Sequence, residues 1–330
     1  MALLGALFFS GALAAAAPLY ALDKTWPAAG GHPSYNISQV TAVAVLGRDV
    51  HVAQRGTDCA PIVVFAAGGG AAIRSWGSKD LTSVHGLSTG AAGSGTLWAT
   101  DILQGTVKEF DGASGALLRT AGTAGAHGPG LKPPQFSAPA DVAATRDLVV
   151  VSDGDGGSNN RVLALAASDL SVAWAAGGPA DNGTKPGAFS SPHSVAYDAA
   201  ADALLVADRG NTRVQLFAAA TGAFLGQWSA GPCFAAPWGI RVDAARSIMF
   251  VADGAAGVLS VVSYTGAAAA AAAAARAGAA PPTALPCTLI QSFDVGVPEK
   301  PHELAFDEAT RDLYLAGVGA PPTIQRYVLA

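Results

Sequence analysis

The sequence predicts an all-β chain folded as a six-bladed β-propeller, on three observations. One unit recurs six times: a short apolar strand, a Gly/Asp turn, a second strand ending near Asp or Arg, a polar turn and a third strand. Equivalent positions, held by His85, Ala140, His193, Trp238 and His302, fall 45 to 64 residues apart. Glycine (40 residues) and proline (20 residues) punctuate many short apolar runs. Several short strands repeating every ~40–55 residues mark a propeller, whose units are small twisted sheets packed around an axis.

The clearest unit begins at Ser191-Pro-His-Ser-Val-Ala-Tyr-Asp198. Leu204 to Ala207 is its second strand, Asp208-Arg-Gly-Asn211 supplies turn chemistry, and Val214 to Phe217 resumes a strand. The first unit reads Val40–Val45, Asp49–Arg55 and Ile62–Phe65, and the second Val84–Ser88, Thr96–Asp101 and Thr106–Phe110. The third is Ala138–Ala143, Leu148–Asp153 and Asn160–Leu165. The fifth is Ala236–Asp243, Ile248–Asp253 and Val258–Val262, and the sixth Lys300–Asp307, Asp312–Ala316 and Ile324–Val328. The propeller thus runs from 40 to 330. A low-complexity alanine insertion at 267–282 interrupts the fifth unit, and is expected as a short exposed helix or as disorder.

Before the ring, residues 1–21 form an apolar stretch ending in small residues and read as a signal peptide, with a Pro/Gly-rich lead-in at 22–39. Leu19-Tyr-Ala21 is one cleavage site and Ala14 to Ala17 another; a signal anchor is the alternative, since no basic residue precedes Lys24. A secreted or lumenal location follows, and no second stretch is long and apolar enough to span a membrane once the leader is removed. Two sequons, Asn36-Ile-Ser38 and Asn182-Gly-Thr184, fit that route. Of three cysteines, Cys233 and Cys287 flank the same unit and are the favoured pair, leaving Cys59 over. A charge of -5 and a charged fraction of 13%, without a Lys/Arg cluster, exclude a nucleic-acid surface. The chain is expected to be a monomer.

The function-bearing signal is the residue at the repeat position. Histidine holds it in units 2, 4 and 6, as His85, His193 and His302. Inner strands line the channel of a propeller, and alternate blades of six lie about 120° apart, so the three imidazoles converge on the axis. Three neutral imidazoles with an open fourth position suit a catalytic zinc. His32, His51 and His127 fall outside the frame and read as ordinary surface or loop residues.

Val206-Ala-Asp-Arg-Gly-Asn-Thr-Arg-Val-Gln-Leu-Phe217 resembles an NHL repeat. The set Gln54-Arg55-Gly56, Val84-His85-Gly86-Leu87, Ser191-Pro192-His193-Ser194, Ala207-Asp208-Arg209 and Pro301-His302-Glu303 is similar to the peptidyl-α-hydroxyglycine α-amidating lyases. That resemblance covers about Val40 to Val328. It implies a zinc held by His85, His193 and His302, and a structural calcium held by the Val43 and Leu87 carbonyls and the Glu303 carboxylate. It also implies that Arg55 and Arg209 hold the charge of a peptide substrate cleaved to a peptide amide and glyoxylate.

Three departures stand out. Asp155 occupies the place of the family's catalytic tyrosine, Glu303 stands for an aspartate, and Lys300 stands for a methionine near His302. Three readings remain. One is an active lyase with Asp155 or a water as base; another is an inactive metal-holding propeller that binds a peptide or protein; the last is a structural NHL module. The same Gly-rich turn also resembles that of secreted NHL-repeat proteins not established as lyases.

Overall fold

A computed structural model of the chain describes residues 19–27, 37–179, 183–296, 298–320 and 322–330. It is a ring of six four-stranded antiparallel sheets. Blade 6 contains a strand from each end of the described chain: β1 (Tyr20–Leu22) is its outermost strand. Blade 1 is β2 (Val40–Leu46), β3 (Asp49–Gln54), β4 (Ile62–Ala66) and β5 (Ala72–Trp76). Blade 2 is β6 (Val84–Thr89), β7 (Thr96–Asp101), β8 (Thr106–Asp111) and β9 (Leu117–Ala121). Blade 3 is β10 (Pro139–Ala144), β11 (Leu148–Asp153), β12 (Arg161–Ala166) and β13 (Val172–Gly177).

Blade 4 is β14 (Pro192–Asp198), β15 (Ala203–Asp208), β16 (Arg213–Ala218) and β17 (Phe224–Ser229). Blade 5 is β18 (Gly239–Asp243), β19 (Ile248–Asp253), β20 (Val258–Ser263) and β21 (Thr288–Asp294), with helix α1 (Ala267–Arg276) between its last two strands. Blade 6 is completed by β22 (Pro301–Phe306), β23 (Leu313–Gly317) and β24 (Thr323–Leu329), on which β1 pairs, Tyr20 opposite Leu329.

The aspartates that end the second strands are clamps. Asp101 accepts the Thr82 amide at 2.6 Å, Asp153 the Ser137 and Ala138 amides at 2.9 and 3.0 Å, Asp208 the Ser190 amide at 2.8 Å, and Asp253 the Ala236 amide at 2.7 Å. Each ties the chain entering the inner strand to the strand beside it, and satisfies amides that burial would otherwise leave bare. Arg161 and Arg213 pair with Asp153 and Asp208 at 3.1 and 2.7 Å. Between blades the core is apolar: Leu205, Leu216, Trp228, Met249 and Val251, for example, lie in one cluster.

Several expectations change. Residues 1–18 lie outside the described residues, but Tyr20 is fully buried edge-on to Phe250, with ring centroids 5.5 Å apart. A leader ending at 21 would therefore cut β1, whereas a cut at Ala14 to Ala17 leaves it whole. The lead-in is partly core, since buried Trp26 packs edge-on to Tyr314 at 5.1 Å. The alanine tract is helical and half-buried rather than exposed. Ala267, Ala268, Ala271 and Ala272 form an apolar stripe in the cluster holding Leu225 and Trp228 of β17. Cys233 and Cys287 form a disulfide across that insertion, and Cys59 is free. Asn36, Asn182 and His32 lie outside the described residues. No helix among the described residues is long and apolar enough to cross a membrane.

His51 is the misjudged histidine. It is fully buried in β3, edge-on to Trp76, with neither ring nitrogen partnered among the described residues. Blades pack on both faces, so a side chain opposite Val50 and Val52 is buried as they are. His127 is an exposed loop residue whose ring nitrogens lie 2.9 and 3.1 Å from the Ser137 and Leu103 carbonyls.

Candidate metal centre on the propeller axis

Irregularities in the inner strands present the site. Pairing shifts register between Pro139 and Asp141, Pro192 and Ser194, Pro301 and Glu303, and Val84 and Leu87. The skipped residues include Ala140, His193, His302 and His85. A residue extruded from a ladder re-aims its side chain, and bulges serve that purpose beside functional sites. Gly86, next to His85, has no room for a side chain: an added Cβ would lie 2.4 Å from the Ala140 carbonyl oxygen.

The three histidine rings form a near-equilateral triangle, with centroids 4.8, 4.9 and 4.7 Å apart. All three are buried. Each sends Nδ1 to the carbonyl of the matched residue on the next blade: His85 to Ala140 (2.9 Å), His193 to Trp238 (2.9 Å) and His302 to Thr41 (2.6 Å). A carbonyl only accepts, so each Nδ1 carries a proton; the remaining nitrogen of His85 faces the Asp155 carboxylate. One ring nitrogen of each lies within 4.8 Å of the others, and His193 Nε2 is buried without a partner among the described residues. Burial lowers all three imidazole pKa values, that of His193 to about 4, which keeps the rings neutral.

Arg55, Asp155 and Arg209 border this triangle. Asp155 Oδ2 lies 2.8 Å from His85 Nε2, and its Oδ1 accepts from Arg209 Nη2 at 2.5 Å. Burial opposes ionisation of Asp155, but the His85 contact and the Arg209 guanidinium outweigh it, holding the carboxyl below its usual range. Arg209 also stacks over Trp238, 5.2 Å from the ring centroid. Arg55 Nε donates to the Val84 carbonyl at 2.9 Å, while its Nη2 is buried with no partner among the described residues. Lys300 is exposed in a left-handed turn, φ 44°.

The calcium expectation meets a different environment. Glu303 is buried one residue beyond His302, and Oε2 accepts from Ser194 Oγ at 3.1 Å. Arg241 Nη1 stands 3.5 Å from that oxygen and 2.9 Å from Asp141 Oδ2. Burial, then the charge of Asp141, pushes the Glu303 carboxyl well up. Val43 and Leu87 lie beyond, lining with Arg241 a funnel of about 970 Å³ at the opposite mouth. A guanidinium against a carboxyl that favours its neutral form does not fit a calcium site, because the fixed cation repels the ion that the carboxylate would attract. Arg241 was not singled out from the sequence, where Gly-Ile-Arg-Val-Asp reads as an ordinary strand.

Residues 189–217 match the NHL repeat. The chain is 35% identical to human NHL repeat-containing protein 3 over 323 residues, which cover 94% of this chain and 84% of that protein. It is 34% identical to the mouse protein of the same name over 324 residues, with the same coverage. It is also 32% identical to rat peptidylglycine alpha-amidating monooxygenase over 155 residues, 46% of this chain and 15% of that protein.

Proposed function

The chain belongs to the family of NHL repeat-containing protein 3, and from that membership and the axial histidines we propose a zinc-holding propeller of the amidating-lyase type. In this reading its histidine-side mouth receives the carboxylate end of a peptide. The observation that carries the proposal is the set of three carbonyl-fixed imidazoles, each with its Nε2 not taken up by that bond. Three such nitrogens fit zinc, which would supply Lewis acidity toward a substrate oxygen. The partnerless Arg55 Nη2 suits a carboxylate, as does the planar guanidinium of Arg209. The Cys233–Cys287 disulfide supports a secretory route.

Cleavage of peptidyl-α-hydroxyglycine to a peptide amide and glyoxylate is the reaction for such a mouth. The hydroxyl loses a proton as the carbon–nitrogen bond breaks, and the departing nitrogen gains one. Asp155, placed beside His85, would take the hydroxyl proton, while Arg55 and Arg209 hold the carboxylate.

One observation favours a second reading, binding without turnover: both Asp155 oxygens are engaged, one by Arg209 and one by His85. Glyoxylate release from an α-hydroxyglycine peptide decides between the two. Release by the native protein and not by His193→Ala supports the lyase. A zinc-loaded protein that releases none across a broad pH range leaves a binding protein.

A further inference from the structure

We propose that Trp238 is a positioning residue: its indole braces the Arg209 guanidinium beside the axial histidines and so sets the preference of that mouth for a carboxylate. The inference rests on the function proposed above and concerns what fits one of its arginines for that role.

Trp238 holds, at the entry to blade 5, the repeat position that His85, His193 and His302 hold in blades 2, 4 and 6. Thr41 and Ala140 hold it in blades 1 and 3, so the indole is the one large side chain among the three that are not histidine. It fills the sector between two of the imidazoles, its ring centroid 6.2 Å from that of His193 and 6.0 Å from that of His302. Gly254 makes room for it: an added Cβ there would lie 2.3 Å from Trp238 Cε3. The main chain of Trp238 does something separate, since its carbonyl accepts from His193 Nδ1. A substitution of the ring leaves that bond in place.

Arg209 needs such a brace. It projects from the single turn Arg209–Asn211 that follows β15, and a long side chain on a turn has much rotamer freedom to lose on binding a ligand. Asp155 holds one end of the guanidinium, through Nη2 at 2.5 Å, but a bond at one end leaves the plane free to turn. The indole fixes the plane, lying 5.2 Å below Cζ. Tryptophan is the best aromatic partner for a cation, and the flat guanidinium suits its face. Among the described residues Arg209 donates only that bond to Asp155, so Nε and Nη1 stay open to a ligand. A guanidinium already ordered, with donors open, takes a carboxylate without the cost of being ordered first.

Isothermal titration of the zinc-loaded full chain tests this with two probes. One is a short peptide ending in glycine, which has no hydroxyl to lose and is not cleaved; the other is its C-terminal amide. The wild type is expected to prefer the carboxylate form by about tenfold or more. Trp238→Leu should keep its zinc and its affinity for the amide, and lose about tenfold for the carboxylate, the scale of one cation–π contact. Trp238→Phe, which retains an aromatic face, should recover most of that loss. Gly254→Ala, which keeps the indole but drives it from its place, should behave as Trp238→Leu does. Full carboxylate preference in folded, zinc-loaded Trp238→Leu or Gly254→Ala overturns the assignment. So does a loss that falls equally on both probes, the mark of a merely structural ring. A wild type that binds neither probe overturns the carboxylate-receiving mouth itself, a result distinct from these.

Discussion

His302 Nδ1 lies 2.6 Å from the carbonyl oxygen of Thr41, a residue 261 positions earlier in the chain. The bond joins blade 6 to blade 1, across the seam where the ring closes. It repeats what His85 does with Ala140 and His193 with Trp238, so the orientation of one axial histidine depends on that closure. β1, paired with β24, completes the outer edge of the blade whose innermost strand carries His302.

Tyr20→Ala should therefore destabilise the fold by about 3 kcal/mol, the usual cost of removing a buried aromatic ring, and should weaken metal binding with it. Tyr20→Phe should be nearly silent, because the Tyr20 hydroxyl has no partner among the described residues. Thermal unfolding of both variants checks the contrast; a larger loss in Tyr20→Phe than in Tyr20→Ala would oppose it.

Acid should act through His51. Burial lowers its pKa to about 4, while the unfolded chain titrates near 6.5. Between these values the unfolded state binds more protons, so stability is complete above pH 6.5 and is lost progressively as pH falls to about 4. The loss is about 3 kcal/mol on the order of the shift. His51→Leu should flatten this part of the denaturation profile. An unchanged profile in that variant would remove His51 as the cause.

Arg241 should make the channel independent of calcium. Neither calcium nor its chelator is expected to move the melting temperature of the wild type. Arg241→Met leaves Asp141 and Glu303 without their cation and should cost about 3–5 kcal/mol. Stabilisation of the wild type by calcium would show that the guanidinium does not take the ion's place.

Removing the disulfide with Cys233→Ala and Cys287→Ala should cost up to roughly 4 kcal/mol on the chain-entropy estimate for the loop it closes. Its separation in sequence is 54 residues. The effect should centre on the packing of α1 against β17, which amide exchange can localise.

The readable part of the fold was the inner three strands of each blade, because buried strands carry apolar runs and the clamping aspartates recur at their ends. The fourth strands were not readable. Leu117–Ala121 and Val172–Gly177 lie at the rim, half exposed, and lack such a run. Tyr20–Leu22 was hidden in leader-like composition, since its role is fixed only by pairing with the distant β24. In the site, the histidines were legible from one repeat position. The approach of Asp155 to His85 and the insertion of Arg241 between Asp141 and Glu303 join different blades, so no local pattern announces them.

The most direct test of the axial metal centre is the zinc content of purified protein, measured beside His193→Ala prepared identically. The account predicts one zinc per chain in the wild type and its loss in the variant. A wild-type protein that carries no zinc and takes up none on dialysis, or a folded His193→Ala that retains a full equivalent, would contradict it.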